Sequence, residues 1–160
     1  MRSEDVTGTG RPQATSRAGG TTMQPGHRSV PHTADARIEA WAATREACVA
    51  EAVTAMVETF ADTSAARPTD SASFEVTADT DEDLLVAVLD EVVYLLDTAD
   101  VIPLATRVEP ALEEGYDVHF EVTDIGEVEL VGAVPKAVSL HGLRFEQGPE
   151  GWTCAVTLDV

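Results

Sequence analysis

Two carboxyl groups stand on neighbouring residues at the end of the sequence, the side chain of Asp159 and the main-chain carboxyl of Val160. Residues 152–160 alternate apolar and polar side chains, which predicts a strand with one face on the core. Asp159 falls on the other face, so its carboxylate is expected to project from the sheet. Carboxylate oxygens are the ligands that Ca²⁺ and Mg²⁺ take in proteins, and Asp35 is the best candidate for a third ligand. The alternative is that Asp159 is a solvated terminal residue and Asp35 a turn or cap residue.

Three further residues have side chains suited to contact with a partner or a ligand. Lys136 is the only lysine of the chain, and two interpretations stay open: a local counter-charge or a contact with a partner protein. His32 and His141 are candidate ligands or acid–base groups, and the alternative for each is a hydrogen-bonded structural histidine. The sequence contains no glycine-rich phosphate loop and no G-x-S-x-G motif, which argues against a self-sufficient enzyme.

The charge of the chain limits its partners. The formal net charge is −19, and because the first 30 residues contribute +2, residues 31–160 carry −21. Proteins bind the phosphates of nucleic acids through Lys and Arg, so this acidic domain is expected not to bind RNA or DNA directly. Metal cations and basic protein surfaces are the expected partners, although solubility alone is an alternative explanation of most of the charge.

The composition divides the chain into two parts. Residues 1–29 contain Gly, Ser, Thr, Pro, Gln and Arg with almost no apolar side chains, which predicts a disordered tail. Residues 30–160 are patterned throughout and are predicted to form one domain. The chain has neither the apolar region of a signal peptide nor an apolar run long enough to cross a membrane. We therefore expect a cytoplasmic protein without membrane contact.

Two segments have the apolar spacing of helices. Residues 45–60 repeat apolar side chains every three or four positions, and Thr44 is a plausible N-cap. Residues 81–96 have the same spacing, with Thr80 as the N-cap and three acidic residues in the first turn, where the helix dipole favours negative charge.

The remaining patterned segments alternate with a period of two residues and are predicted to be strands. They are residues 37–42, 73–78, 105–108, 116–123, 127–131, 136–139, 143–146 and 152–160. Residues 148–151, Gly-Pro-Glu-Gly, predict a turn that joins the last two strands as a hairpin. Together these elements indicate an α+β fold in which two helices pack in a layer on a mostly antiparallel β-sheet.

Four blocks of the sequence resemble the archease family when they are taken in order. His-Thr-Ala-Asp at 32–35 resembles the signature at the start of the family's domain, and residues 83–98 resemble its central helix with a terminal Asp-Thr. Residues 136–141, Lys-Ala-Val-Ser-Leu-His, are similar to the family's Lys-Ala-Val-Thr-Tyr-His strand. Residues 152–160 resemble its ending on Asp-Val. The resemblance covers about residues 30–160 and implies an α+β fold with a divalent metal ion, calcium, held by Asp35, Asp159 and Val160.

The resemblance also implies a function. It identifies the chain as a non-catalytic accessory protein that activates an RtcB-type RNA ligase, favouring its guanylylation and multiple turnover in tRNA splicing and RNA repair. A metal-dependent hydrolase and a chaperone-like binding module are the alternatives. Residues 132–135 depart from the family's pattern before Lys136, so the surface that faces the ligase is expected to be remodelled. The 29-residue tail has no counterpart in the family's pattern.

Overall fold

The computed structural model of the protein describes residues 35–160, which fold into two helices and eight strands arranged in layers. The helices are α1 (Arg45–Glu58) and α2 (Asp81–Ala99). The strands are β1 (Asp35–Ala42), β2 (Ala61–Asp62), β3 (Asp70–Val76), β4 (Val101–Pro110), β5 (Tyr116–Asp124), β6 (Glu129–Leu130), β7 (Ala137–Gly148) and β8 (Gly151–Asp159). The predicted tail and His32 lie outside the described residues.

The strands of this region pair antiparallel in three separate sheets. The first sheet has the order β1-β8-β7, the second has the order β3-β5-β4, and β2 pairs with β6 in a short ribbon. The last strand therefore occupies the centre of the first sheet, where it pairs with β1 on one side and with β7 on the other. The predicted α+β class and the mostly antiparallel pairing are confirmed.

Both helices begin at the predicted caps. The hydroxyl oxygen of Thr44 accepts the Ala47 N–H at 3.1 Å, and that of Thr80 accepts the Asp83 N–H at 3.0 Å. These bonds satisfy N–H groups that the first turn of a helix leaves without partners. Neither α1 nor α2 has the length and apolarity that crossing a lipid bilayer would require.

The core is built from both helices and the two larger sheets. Helix α1 contacts β1 and β8 of the first sheet and β4 of the second, while α2 contacts α1, β7, β3 and β4. Each helix therefore contacts strands of both larger sheets and buries a wide apolar face. The largest fully buried side chains are Phe60, Phe120, Met56, Leu84, Leu85, Leu89, Ile102 and Leu158.

Several predicted elements differ from those of the structure. Residues 136–139 and 143–146 are parts of one strand, β7, because residues 140–143 form a bulge opposite the single residue Val156. The predicted strand 127–131 is reduced to two residues, since a 3-10 turn at Ile125–Glu127 precedes it. The first helix ends two residues earlier than predicted, at Glu58, where the Thr59 hydroxyl donates to the Met56 carbonyl.

Leu89→Ala is expected to lower the free energy of unfolding by about 2–5 kcal/mol, because it removes a side chain that is fully enclosed between the layers. Leu112→Ala makes the same chemical change at a fully exposed position and is the matched control, expected within about 0.5 kcal/mol of wild type. Urea denaturation followed by circular dichroism measures both. Equal losses in the two variants would contradict this assignment of the core.

Candidate metal centre

The register of β1 and β8 brings Asp35 and Asp159 together. They are Cα partners and form the last pair of the two antiparallel strands. Directly opposed residues of such a pair point to the same face of the sheet, with Cβ atoms about 4.5–5.5 Å apart. Both residues are exposed. Two residues that are 124 positions apart in the sequence thus present adjacent carboxylates at one end of the sheet.

This pair of carboxylates has no ion-pair partner among residues 35–160. None of the ion pairs formed between residues within 35–160 involves Asp35 or Asp159. Like charges directly opposite each other on a sheet are destabilising, and a shared cation removes that repulsion. The donor set is chemically suited to a hard, oxygen-preferring divalent ion such as calcium.

The described side chains supply only part of a complete coordination shell. Within residues 35–160, no three or more His, Cys, Asp and Glu side chains gather closely enough to share a metal ion. Val160 follows Asp159 directly, and its partly buried side chain packs against the core. The predicted role of the Val160 main-chain carboxyl stays a prediction. Among residues 35–160, the side chains of Asp35 and Asp159 are the two carboxylates that strand pairing brings together at this end of the sheet.

Lys136 lies at the same end of the sheet. Its backbone N–H donates to the carbonyl oxygen of Asp159 at 2.7 Å, and the next residue, Ala137, is the Cα partner of Asp159 on β7. Within residues 35–160 the Lys136 side chain is exposed and forms no ion pair. No carboxylate within this range therefore pairs with the Lys136 side chain, which does not support the interpretation of Lys136 as a local counter-charge.

Of the two histidines predicted as candidate ligands or acid–base groups, the structure describes only one. His32 lies outside the described residues. His141 is exposed in the bulge of β7, where its backbone N–H donates to the Ser139 hydroxyl at 3.1 Å. The His141 side chain joins no cluster of ligating groups within residues 35–160.

Arg37 is a residue of this face that the sequence analysis did not single out. Its guanidinium donates to the Thr157 hydroxyl at 2.9 Å and to the Gly142 carbonyl at 3.2 Å. It therefore crosses the central strand and ties β1 to the bulge of β7, one row from the carboxylate pair. The period-two spacing of Asp35 and Arg37 would have indicated that both lie on one face.

Two other groups with nucleophilic atoms occur elsewhere in the described residues. The Ser73 hydroxyl lies 2.8 Å from His119 Nδ1 on the exposed face of the second sheet, and there His119 has no hydrogen-bonded carboxylate to orient it. Cys48 and Cys154 are both buried, as predicted. Burial raises the pKa of Cys48 to about 12 and also raises that of Cys154, so both stay protonated thiols near neutral pH. Neither group has the arrangement of an activated nucleophile.

The fold is that of an α+β domain with two adjacent carboxylates at one end of the first sheet. Two solved structures share the fold. One is the solution structure of Methanobacterium thermoautotrophicum protein 1598, with a TM-score of 0.64, 24% identity, and coverage of 80% of this chain and 94% of that one. The other is a Thermotoga maritima crystal structure described as an archease and possible chaperone, with a TM-score of 0.62, 18% identity, and coverage of 86% and 100%.

The sequence comparisons identify the family. The profile of the Archease protein family (MTH1598/TM1083) matches residues 27–160. A probable protein archease of Mycobacterium tuberculosis (strain CDC 1551 / Oshkosh) is 54% identical over 143 residues, which are 89% of this chain and 79% of that protein. A protein archease of Pyrobaculum neutrophilum is 27% identical over 135 residues, covering 81% and 91%. The chain belongs to the archease family, as its sequence blocks predicted.

The proximity of the Asp35 and Asp159 carboxylates can be tested by measuring the free energy of unfolding, without a metal ion or a partner. In EDTA at low salt, Asp35→Asn and Asp159→Asn are each expected to raise the free energy of unfolding by about 0.2–1 kcal/mol, because each removes the same like-charge repulsion. The double variant should gain less than the sum of the two. Glu39→Gln is the matched control, because Glu39 lies on the same face of β1 but opposite Ala155. Additive gains would show that the two carboxylates do not interact.

Proposed function

We propose that this protein is a non-catalytic accessory protein that binds a divalent cation, calcium, and activates an RtcB-type RNA ligase in tRNA splicing and RNA repair. Its effect would be to favour guanylylation of the ligase and repeated turnover. The single observation that supports this most strongly is the cross-strand pair of Asp35 and Asp159 in a chain of the archease family.

In this proposal Asp35, Asp159 and the carboxyl of Val160 hold the ion at the end of the first sheet. The ion would supply a positive charge between two carboxylates that form no ion pair within residues 35–160. Asp35 and Asp159 are fixed by strand pairing, so little conformational entropy is lost when both contact one ion. Lys136 lies beside Asp159 and, together with His32 and His141, is proposed to contact the ligase or its nucleotide.

The charge of the domain supports a protein partner with a basic surface. Residues 31–160 carry −21, and a ligase that binds RNA presents cationic groups to phosphates. Complementary charges speed encounter, and salt screens them, so the complex should form quickly and weaken as the salt concentration rises. A transient complex also suits a ligase whose surface must afterwards accept RNA. The same charge is unfavourable for direct binding of tRNA by this protein.

The first experiment is a calcium titration by calorimetry. Asp35→Asn and Asp159→Asn are each expected to weaken calcium binding at least about tenfold, since each removes one of few charged ligands. A form extended by several residues beyond Val160 should lose affinity because its main-chain carboxyl becomes an amide. Glu39→Gln, on the same face, should bind like wild type. Unchanged affinity in the two Asp variants and the extended form would rule out this site.

The second experiment measures guanylylation and multiple-turnover joining by the cognate ligase at limiting metal. Wild-type protein is expected to raise both rates, while Asp35→Asn and Asp159→Asn should remain folded and fail to do so. The protein alone should form no guanylate adduct. Activation by the two variants equal to that by wild type would contradict the proposed role of the metal.

Two results of these assays would favour the alternatives. Release of phosphate or nucleotide by the isolated protein, lost in Asp35→Asn, would indicate a metal-dependent hydrolase. Suppression of the aggregation of unrelated proteins in EDTA, without any effect on the ligase, would indicate a chaperone-like module.

A further inference from the structure

A groove runs between the second half of α2 and the segment that leads into β7. It has a volume of about 600 Å³. On the helix side Asp90, Tyr94 and Asp97 follow one another at steps of four and three residues, so they form one face of α2. The opposite wall is largely apolar and contains Val134, Pro135 and Ala137.

The helix side of the groove combines an aromatic ring with two carboxylates. Tyr94 is 58% exposed and lines the groove, so its ring is accessible to a bound group. Asp90 and Asp97 lie on either side of it, about 10 Å apart along the axis at 1.5 Å per residue. A carboxylate next to an exposed aromatic face is a favourable site for a guanidinium or ammonium group, because the cation pairs with the carboxylate and stacks on the ring.

The negative charge of the groove is only partly balanced by the described residues. No ion pair between residues of the range 35–160 includes Asp90 or Asp97. Partial burial also raises the pKa of Asp90 and of the neighbouring Glu91, which means that their charged forms are less well solvated than in open water. Lys136 on the opposite rim is the one cation among the residues that line the groove.

We propose that this groove binds a cationic segment of a protein partner, with two Arg or Lys side chains on Asp90 and Asp97 and an apolar residue between them against Tyr94 and Pro135. Charge complementarity selects this occupant. A nucleic acid would bring phosphates towards the two carboxylates, and a second copy of this chain would bring another domain that carries −21. The apolar wall would bury the aliphatic stems of the incoming cations.

The groove adjoins the candidate metal centre. Ala137 lines the groove and is also the Cα partner of Asp159, while Lys136 lines it and donates its backbone N–H to the Asp159 carbonyl. A partner segment in the groove would therefore approach the carboxylate pair from the side of β7. This inference rests on the proposed function, because the partner that we would test is the cognate RtcB-type ligase.

The test compares two double variants of the full chain that remove the same charge. Asp90→Asn with Asp97→Asn changes the groove, and Glu113→Gln with Glu114→Gln changes an exposed turn between β4 and β5. Binding to the cognate ligase is measured by biolayer interferometry at two salt concentrations, and calcium binding by calorimetry. We expect the groove variant to bind the ligase at least about tenfold more weakly and with less salt dependence. Its calcium affinity should be unchanged, and the turn variant should bind both like wild type.

A third variant tests the contribution of the Tyr94 ring to ligase binding separately from that of charge. Tyr94→Ala leaves the net charge unchanged and is expected to weaken ligase binding severalfold. If wild type binds the ligase and both groove variants bind equally well, the groove proposal is wrong while the proposed function stands. If wild type does not bind the ligase at all, the proposed function fails and the groove proposal fails with it. Equal weakening by the groove and turn variants would show that only net charge matters, which would also overturn the proposal.

Discussion

The pairing of β1 with β8 is the constraint on which the rest of this structure depends. It joins the beginning and the end of the described chain over eight Cα pairs, from Asp35 with Asp159 to Ala42 with Trp152. A shift of β8 by one residue would turn Val156 and Leu158 out of the core and Asp159 into it. The burial of those apolar side chains therefore fixes the position of the carboxylates. The candidate metal centre is a consequence of core packing as much as of its own chemistry.

A second set of contacts, centred on Arg45, joins the two helices and the two larger sheets. Its guanidinium pairs with Asp81 at 2.8 Å and with Glu46 at 3.2 Å, and it lies 5.4 Å from the centre of the Tyr116 ring and 5.8 Å from that of Trp152. The hydrogen bond to Asp81 is the largest cause that raises the pKa of Arg45. These groups come from α1, α2, β5 and β8. One cation thus connects the starts of both helices to both sheets, at one edge of the core.

The acidic surface has two opposite effects on this domain. A charge of −21 over residues 31–160 repels itself and destabilises the compact state, while it also keeps the protein soluble. Carboxylates are tolerated at the first turn of α2, where the helix dipole favours them. The helix N-termini within residues 35–160 do not offset the negative charge of four other carboxylates in this way, those of Asp35, Asp159, Asp90 and Asp97. They gather around the start of β7, so one region offers both an oxygen-donor pair and an anionic groove.

The sequence by itself determined the elements and the family. The apolar spacing of both helices, their Thr44 and Thr80 caps and the terminal hairpin are local patterns, and the structure confirms them because short-range hydrogen bonds and side-chain periodicity decide them. The bulge in β7 and the contacts of Arg37 were not predictable, since they depend on which strand lies opposite. The sequence also nominated Asp35 and Asp159 as ligands of one ion, from their residue type and from the family resemblance. Only the tertiary structure decided that they are neighbours, because cross-strand register is set by packing of the buried faces and has no local signature in the chain.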